Sequence, residues 1–141
     1  LPKKRRITHR SAKNKGKRFQ NEIAEKISDL LDIPVEKDGD IESRQMGMAG
    51  VDVILRGKAK DLFPYAVECK NAESWSIPKW VGQARANIGN FMTWLLFIRK
   101  NDYAPIVVMD ADEFFKLCYA VQKARTGIYR RVWEHTIPEE D

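Results

Sequence analysis

Asp52 lies in the run Gly50-Val51-Asp52-Val53-Ile54-Leu55, and 16 residues later Glu68 and Lys70 flank Cys69 at the end of a second apolar run, Phe63 to Lys70. Side chains alternate across a strand, so Glu68 and Lys70 share a face with Ala66, while Asp52 shares one with Ile54. Pairing two such strands brings two carboxylates and one ammonium to a common point. Hard oxygen donors of this kind suit Mg²⁺ (or Mn²⁺), with the backbone carbonyl of Cys69 as a third oxygen. A bound ion lowers the pKa of a coordinated water and offsets charge on a phosphodiester in the transition state. Lys70 is expected to position the water or the phosphate, because carboxylates beside it oppose the lowered pKa that a strong base needs. The chemistry this set suits is phosphodiester hydrolysis.

An Asp followed by Glu-x-Lys also occurs by chance, and a surface ion pair at a strand end has the same spelling. Apolar flanks on both strands, matched parity and the glycine loop Met46-Gly47-Met48-Ala49-Gly50 favour an active site. Other chemistries lack their residues. The two histidines, His9 and His135, sit near opposite ends, with no triad or zinc spacing around them. Neither a phosphate-binding glycine loop nor a dinucleotide fingerprint is present, so no nucleotide cofactor is expected.

The elements that must position these residues can be read from periodicity. Lys17 to Leu31 reads as a helix, with Phe19, Ile23, Ile27, Leu30 and Leu31 at helical spacing and Pro34 beyond its end. Ile41 to Gln45 reads as a short strand, followed by the Asp52 strand; Gly57 to Asp61 turns the chain into the Glu68 strand. Pro78 suits the first turn of a second helix that runs to about Phe91. Thr93 to Ile98 and Ile106 to Met109 read as buried strands. Asp110, with Glu113 three residues later, opens a third helix carrying Phe114, Phe115, Leu117, Cys118 and Val121. Ile128 to Trp133 reads as an edge strand and Ile137 to Asp141 as an acidic tail. The predicted fold is a mixed α/β sheet flanked by helices, in the order α-β-β-β-α-β-β-α.

Helical angles sort the polar residues. Taking Phe19 as zero, the apolar stripe of the first helix centres at about 50–60°, with Gln20 near 100° and Glu22 near 300°. Gln20 is therefore the better candidate than Glu22 for a contact with the metal site, or else it satisfies a backbone group. On the second helix Gln83 and Asn87 lie along one edge of the stripe; Gln83 orients the water or a phosphate, or is a satisfied rim amide. Trp80 is expected in the core. Trp75 either packs or stacks on a base.

The chain has 141 residues, enough for one core, and 43% are hydrophobic. No apolar run approaches the roughly 18 residues of a membrane span, and no secretory leader is read. Cys69 and Cys118 form no metal or disulfide pattern, so an intracellular protein with free, buried thiols is expected. Charge is uneven. Lys3, Lys4, Arg5, Arg6, Arg10, Lys13, Lys15, Lys17 and Arg18 put nine cations and no acid in the first 18 residues, so a net charge of +5 leaves −4 for the remainder. This reads as a flexible DNA-contacting arm (1–17) ahead of a single domain (18–141), since neutralised phosphates release counterions. A solubilising tail would have the same composition. Arg44, Lys79, Arg85, Arg130 and Arg131 are further phosphate candidates.

Gly50-Val51-Asp52, Val67-Glu68-Cys69-Lys70 and Gln83, preceded by a helix, resemble the PD-(D/E)xK nuclease superfamily over roughly residues 16–115. Within it the chain is most similar to archaeal-type Holliday-junction resolvases and small phage-encoded nucleases; Lys15 to Gln20 and Glu68 to Asn71 look like the phage group. The resemblance implies a restriction-endonuclease-like fold, Mg²⁺ or Mn²⁺ dependence, DNA as partner and a homodimer that cuts two strands. Asp52, Glu68 and Lys70 match the superfamily's metal ligands and lysine. Val51 stands where the superfamily name has proline, and Gln20 where the resolvases have a helix glutamate, so one ion is expected and a second stays open. The expected activity is endonucleolytic cleavage of branched or Holliday-junction DNA in the cytoplasm of a prokaryotic host. A structure-indifferent nickase, an exonuclease or a catalytically idle DNA-binding module are the alternatives.

Overall fold

Thr8 opens the first helix: its side chain accepts the backbone N–H of Ser11 at 3.2 Å, and helix α1 runs from there over His9–Leu31. The computed structural model describes residues 8–134, with side chains described as far as residue 127. Helix α1 thus begins eight residues before the expected Lys17, and residues 9–17 are helical where a flexible arm was expected. Alanine and lysine in this stretch are good helix formers, and Thr8 supplies a cap that apolar periodicity does not reveal. Lys3, Lys4, Arg5 and Arg6 lie outside the described residues. At the other end Asp32 adopts φ 55° and sends its N–H back to the Ser28 carbonyl, closing the helix before Pro34.

Strands β1 (Ile41–Ser43) and β2 (Val53–Leu55) follow, then a short helix α2 (Gly57–Leu62), strand β3 (Tyr65–Asn71), helix α3 (Ile77–Ala86), strands β4 (Thr93–Arg99) and β5 (Ile106–Val108), and helix α4 (Ala111–Glu134). The strands form one sheet in the order β1-β2-β3-β4-β5. Strands β3 and β4 are parallel and every other pair is antiparallel. Parallel neighbours need a crossover connection, and α3 supplies it. The architecture is α/β, a mixed sheet flanked by helices, of the restriction-endonuclease-like kind.

Each sheet face has its own core. On one, Phe19, Ile23 and Ile27 of α1 pack on Ile41, Val53, Leu55 and Val67. On the other, Ala84 of α3 with Ile77, Trp80 and Val81 packs on Ala66, Leu96 and Ile98. Alternation along β3 therefore holds, with Val67 and Cys69 toward α1 and Ala66 toward α3.

Two further expectations are corrected. Gly57–Leu62 is helical, not a turn, because Ala59 is wholly buried against the α1-side core and the residues beside it are helix formers. Residues 128–133 continue α4 and form no strand; Gly127 costs a helix about 1 kcal/mol, which the helix-forming residues before and after it outweigh. Contacts divide the chain into Leu1–Val108 and Met109–Asp141, and α4 belongs to the second unit. Within that unit α4 starts directly after Asp110, as the capping pattern indicated, and Cys118 is exposed instead of buried. Among the described residues no helix is long and apolar enough to cross a membrane. Ile23 is 3% exposed at the centre of the α1 face, so Ile23→Ala should cost about 2–5 kcal/mol, read as a lowered urea midpoint at unchanged slope.

Candidate active site

The strand carrying Asp52 is interrupted at the aspartate. Val53 faces α1, yet Val51, two residues earlier, packs in the α3-side core, so the alternation breaks between them. Asp52 occupies this bend, just outside β2. Its backbone stays in the sheet: its N–H donates to the Val67 carbonyl at 2.9 Å, and its carbonyl accepts the Arg44 N–H at 2.8 Å. The bend frees the side chain. Asp52 Oδ2 accepts the backbone N–H of Cys69 at 2.7 Å, which draws its carboxyl against that of Glu68.

Glu68 lies in mid-strand and is only 1% exposed, an unusual place for an acid. Asn87, which caps the carboxyl end of α3, donates its Nδ2 to Glu68 Oε1 at 2.7 Å. Burial, and then the Asp52 charge, push the Glu68 carboxyl up to about 7, while the Asn87 donor and the Lys70 ammonium act against the shift. Asp52 is raised in the same sense by burial, with the Cys69 N–H opposing. Burial also pushes the Cys69 thiol well up, so it is a packing group and not a nucleophile. Lys70 faces both acids and lowers the proton affinity of each.

Helix α1 and the end of β1 close the other side. Lys17 Nζ donates to Ser43 O, Ser43 Oγ and Arg44 O at 3.2, 3.0 and 2.8 Å. Gln20, 3% exposed, donates its Nε2 to Ser43 Oγ at 2.9 Å and to Arg44 O at 2.6 Å. The Ser43 hydroxyl accepts from both and donates to Asn21 Oδ1 at 2.6 Å, which uses its whole capacity. Lys17 thus ties helix to sheet beside Asp52, and burial lowers its pKa. Arg44 donates Nε to the Val51 carbonyl at 2.5 Å and lies over Gly50, whose φ of 108° and missing side chain leave it room. A Cβ on Gly50 would come within 2.9 Å of the Arg44 guanidinium.

The structure therefore gathers Asp52, Glu68, Lys70 and Arg44, with Gln20 bracing the peptide next to Asp52. Glu22 is not part of this group; it pairs with Arg99. Gln83 is exposed on α3, and Asn87, one turn further along the same edge, is the residue that reaches Glu68. Ser43 and Asn87 carry roles that the sequence reading missed; only the Gln83–Asn87 spacing pointed toward the second. Arg10, Lys13 and Lys79 are exposed, and Trp75 packs beside the α3-side core with its Nε1 donating to Ala72 O at 3.0 Å.

As a donor set the site suits a hard cation. Two carboxylates that repel each other are relieved by a positive charge between them, and Mg²⁺ commonly takes one or two carboxylates and keeps several waters. Among the described residues no group of three or more His, Cys, Asp and Glu side chains is arranged to hold a metal, so an ion at Asp52 and Glu68 would need backbone oxygens and waters to complete its ligands.

A family described as "Phage putative PDDEXK endonuclease" matches residues 11–137. The chain belongs to this family. The match runs from the first turns of α1 through the carboxylate site and beyond, and it makes the chain a nuclease of the PD-(D/E)xK superfamily and of phage type, with DNA as its substrate class. Nucleases of this superfamily generally use divalent metal ions. No curated protein and no solved structure gives a significant match.

Two outcomes follow from the geometry. A Glu68 that holds its proton up to about pH 7 in the folded state, against an ordinary 4.5, makes the metal-free protein less stable as pH rises through that window. The urea midpoint should fall between pH 5 and pH 7.5, and Glu68→Gln should flatten this dependence and be the more stable chain at pH 7.5. Gly50→Ala should cost about 1–3 kcal/mol through its positive φ and the displaced Arg44, read by thermal unfolding.

Proposed function

We propose that this nuclease is a metal-dependent endodeoxyribonuclease that hydrolyses phosphodiester bonds in branched DNA, four-way junctions included. The observation that supports it is the contact between the Asp52 and Glu68 carboxyls with the Lys70 ammonium facing both. Mg²⁺ or Mn²⁺ is the fitting ion, held by Asp52 and Glu68 with the Cys69 carbonyl as a further oxygen, and the two-acid set favours one ion over two. When bound, the ion supplies Lewis acidity for attack on the phosphodiester.

The chain's own groups do the rest. Asn87 and the Cys69 N–H hold the two carboxylates in place. The Lys70 ammonium orients the nucleophile or the scissile phosphate. Arg44, steadied by the Val51 carbonyl, takes a phosphate oxygen, and Gln83 meets the substrate from α3. Gln20 and Lys17 keep the Ser43–Arg44 peptide fixed, so that Arg44 and Asp52 stay in register. A homodimer would supply the second active site needed to cut both strands.

A cleavage panel of four-way junction, flap, duplex and single strand with Mg²⁺ tests this. Wild type should cut branched forms fastest, and Lys70→Ala or Asp52→Asn should lose about 10²-fold or more in rate, the scale of removing one charge-stabilising group. Undiminished cutting by either variant would end the assignment. Equal rates on all four DNAs would remove the branched-substrate preference alone.

A further inference from the structure

Beyond Lys70 the chain leads into a second feature that the catalytic reading does not use. Asn71 ends β3, pairs across the parallel ladder with Arg99, and sends its side chain to the α1 side of the sheet, where Nδ2 meets the Lys15 carbonyl at 3.4 Å. There a cleft of about 720 Å³ opens between α1 and the turn that follows β4, lined by Lys15, Arg18, Asn71, Arg99, Lys100 and Tyr103. Its size is that of a ligand site, roughly 300–1,000 Å³. It also lies at the carboxyl ends of the two parallel strands, where crevices in α/β sheets commonly take ligands.

The lining has a definite chemical character. Glu22 pairs with Arg99, but Arg18 is exposed and has no acidic partner among the described residues. Lys100 has its ammonium 4.0 Å from the centroid of the Tyr103 ring, and Tyr103 is nevertheless 57% exposed. Trp75 meets it edge-on at 6.4 Å between centroids, and Asp102, at φ 60°, forms the tight turn that presents it. Lys15 Nζ fixes that turn through Asn101 Oδ1 at 2.7 Å. The Lys100 ammonium covers one face of this ring, so a nucleotide fits with its base on the opposite face and its phosphates on Arg18 and Lys100.

The route between acids and cleft decides what kind of strand enters. Glu68 and Lys70 share the α3-side face, and the cleft is on the other face, so a nucleic acid joining them must turn round the end of β3. Duplex DNA is stiff over about 150 base pairs and its bases are stacked away from any side chain. A single strand bends and offers its bases. We propose that this cleft binds the single-stranded continuation of the cleaved DNA strand, with Tyr103 stacking on an unpaired base and Arg18 and Lys100 holding its phosphates. The inference rests on the nuclease reading and specifies the substrate as DNA with an unpaired arm next to the scissile bond.

Binding measured in EDTA tests it apart from catalysis, using the full chain and fluorescence anisotropy with a blunt duplex and the same duplex carrying a single-stranded flap. Wild type should prefer the flapped DNA by about tenfold, within the energy of stacking one base. Tyr103→Ala should lose that preference, Tyr103→Phe should keep it, and Arg18→Ala should reduce it with a weaker salt dependence. Equal affinity of wild type for both DNAs, or a preference that survives Tyr103→Ala, would overturn the inference. If wild type prefers the flap in EDTA but cuts nothing with Mg²⁺, the cleft stands and the nuclease reading fails.

Discussion

Burial raises the proton affinity of both Asp52 and Glu68, the Asp52 charge raises that of Glu68 further, and the sheet still holds them together. Most of the local structure around them compensates for that contact. The bend that interrupts β2 lets Asp52 reach the Cys69 N–H, and the cap of α3 lets Asn87 reach Glu68. Lys70 adds the countercharge from within β3. Hydrogen bonds to charged acceptors are the strong ones, and here they fall on the two groups whose desolvation is most costly. The pair is a destabilising element kept in a stable frame, and such strain is characteristic of sites that bind a cation or carry out chemistry.

Helix α1 works at both ends of this arrangement. Its apolar stripe packs on the sheet, which any amphipathic helix would do. Its polar residues at the margin of that stripe do something more specific. Lys17 and Gln20 converge on the Ser43 hydroxyl and the Arg44 carbonyl, so the end of β1 is fixed relative to Asp52. Arg44 in turn uses the space over Gly50. A basic segment that composition alone describes as a phosphate-seeking arm is thus divided by the fold into a structural lysine, Lys17, and cleft residues, Lys15 and Arg18.

Much of the fold was legible in the sequence, since alternation and helical period report burial directly. The five strands, the crossover helix and the facing of Ala66 and Val67 follow from that pattern, but β5, expected to be buried, leaves Ile106 and Val107 exposed. Errors came where something other than apolar period decides. The start of α1 depends on the Thr8 cap, α2 on the burial of the single Ala59, and the end of α4 on propensity carrying the helix through Gly127. The same limit applied to the site. Gln83 and Asn87 occupy one helix edge at equivalent angles, and an angle cannot say which of two amides has a carboxylate opposite it.

Residue type and parity by themselves pointed to Asp52, Glu68 and Lys70 as one group, because charged side chains in apolar strands are costly to bury unless they meet a partner. Only the tertiary structure decided how they meet. The broken alternation at Asp52, the Asn87 donor and the Ser43 junction arise from chain segments far apart in sequence, and their distances depend on how sheet and helices pack. The Glu-Cys-Lys motif supplies the residue types. The packing around it specifies which neighbours share the charge.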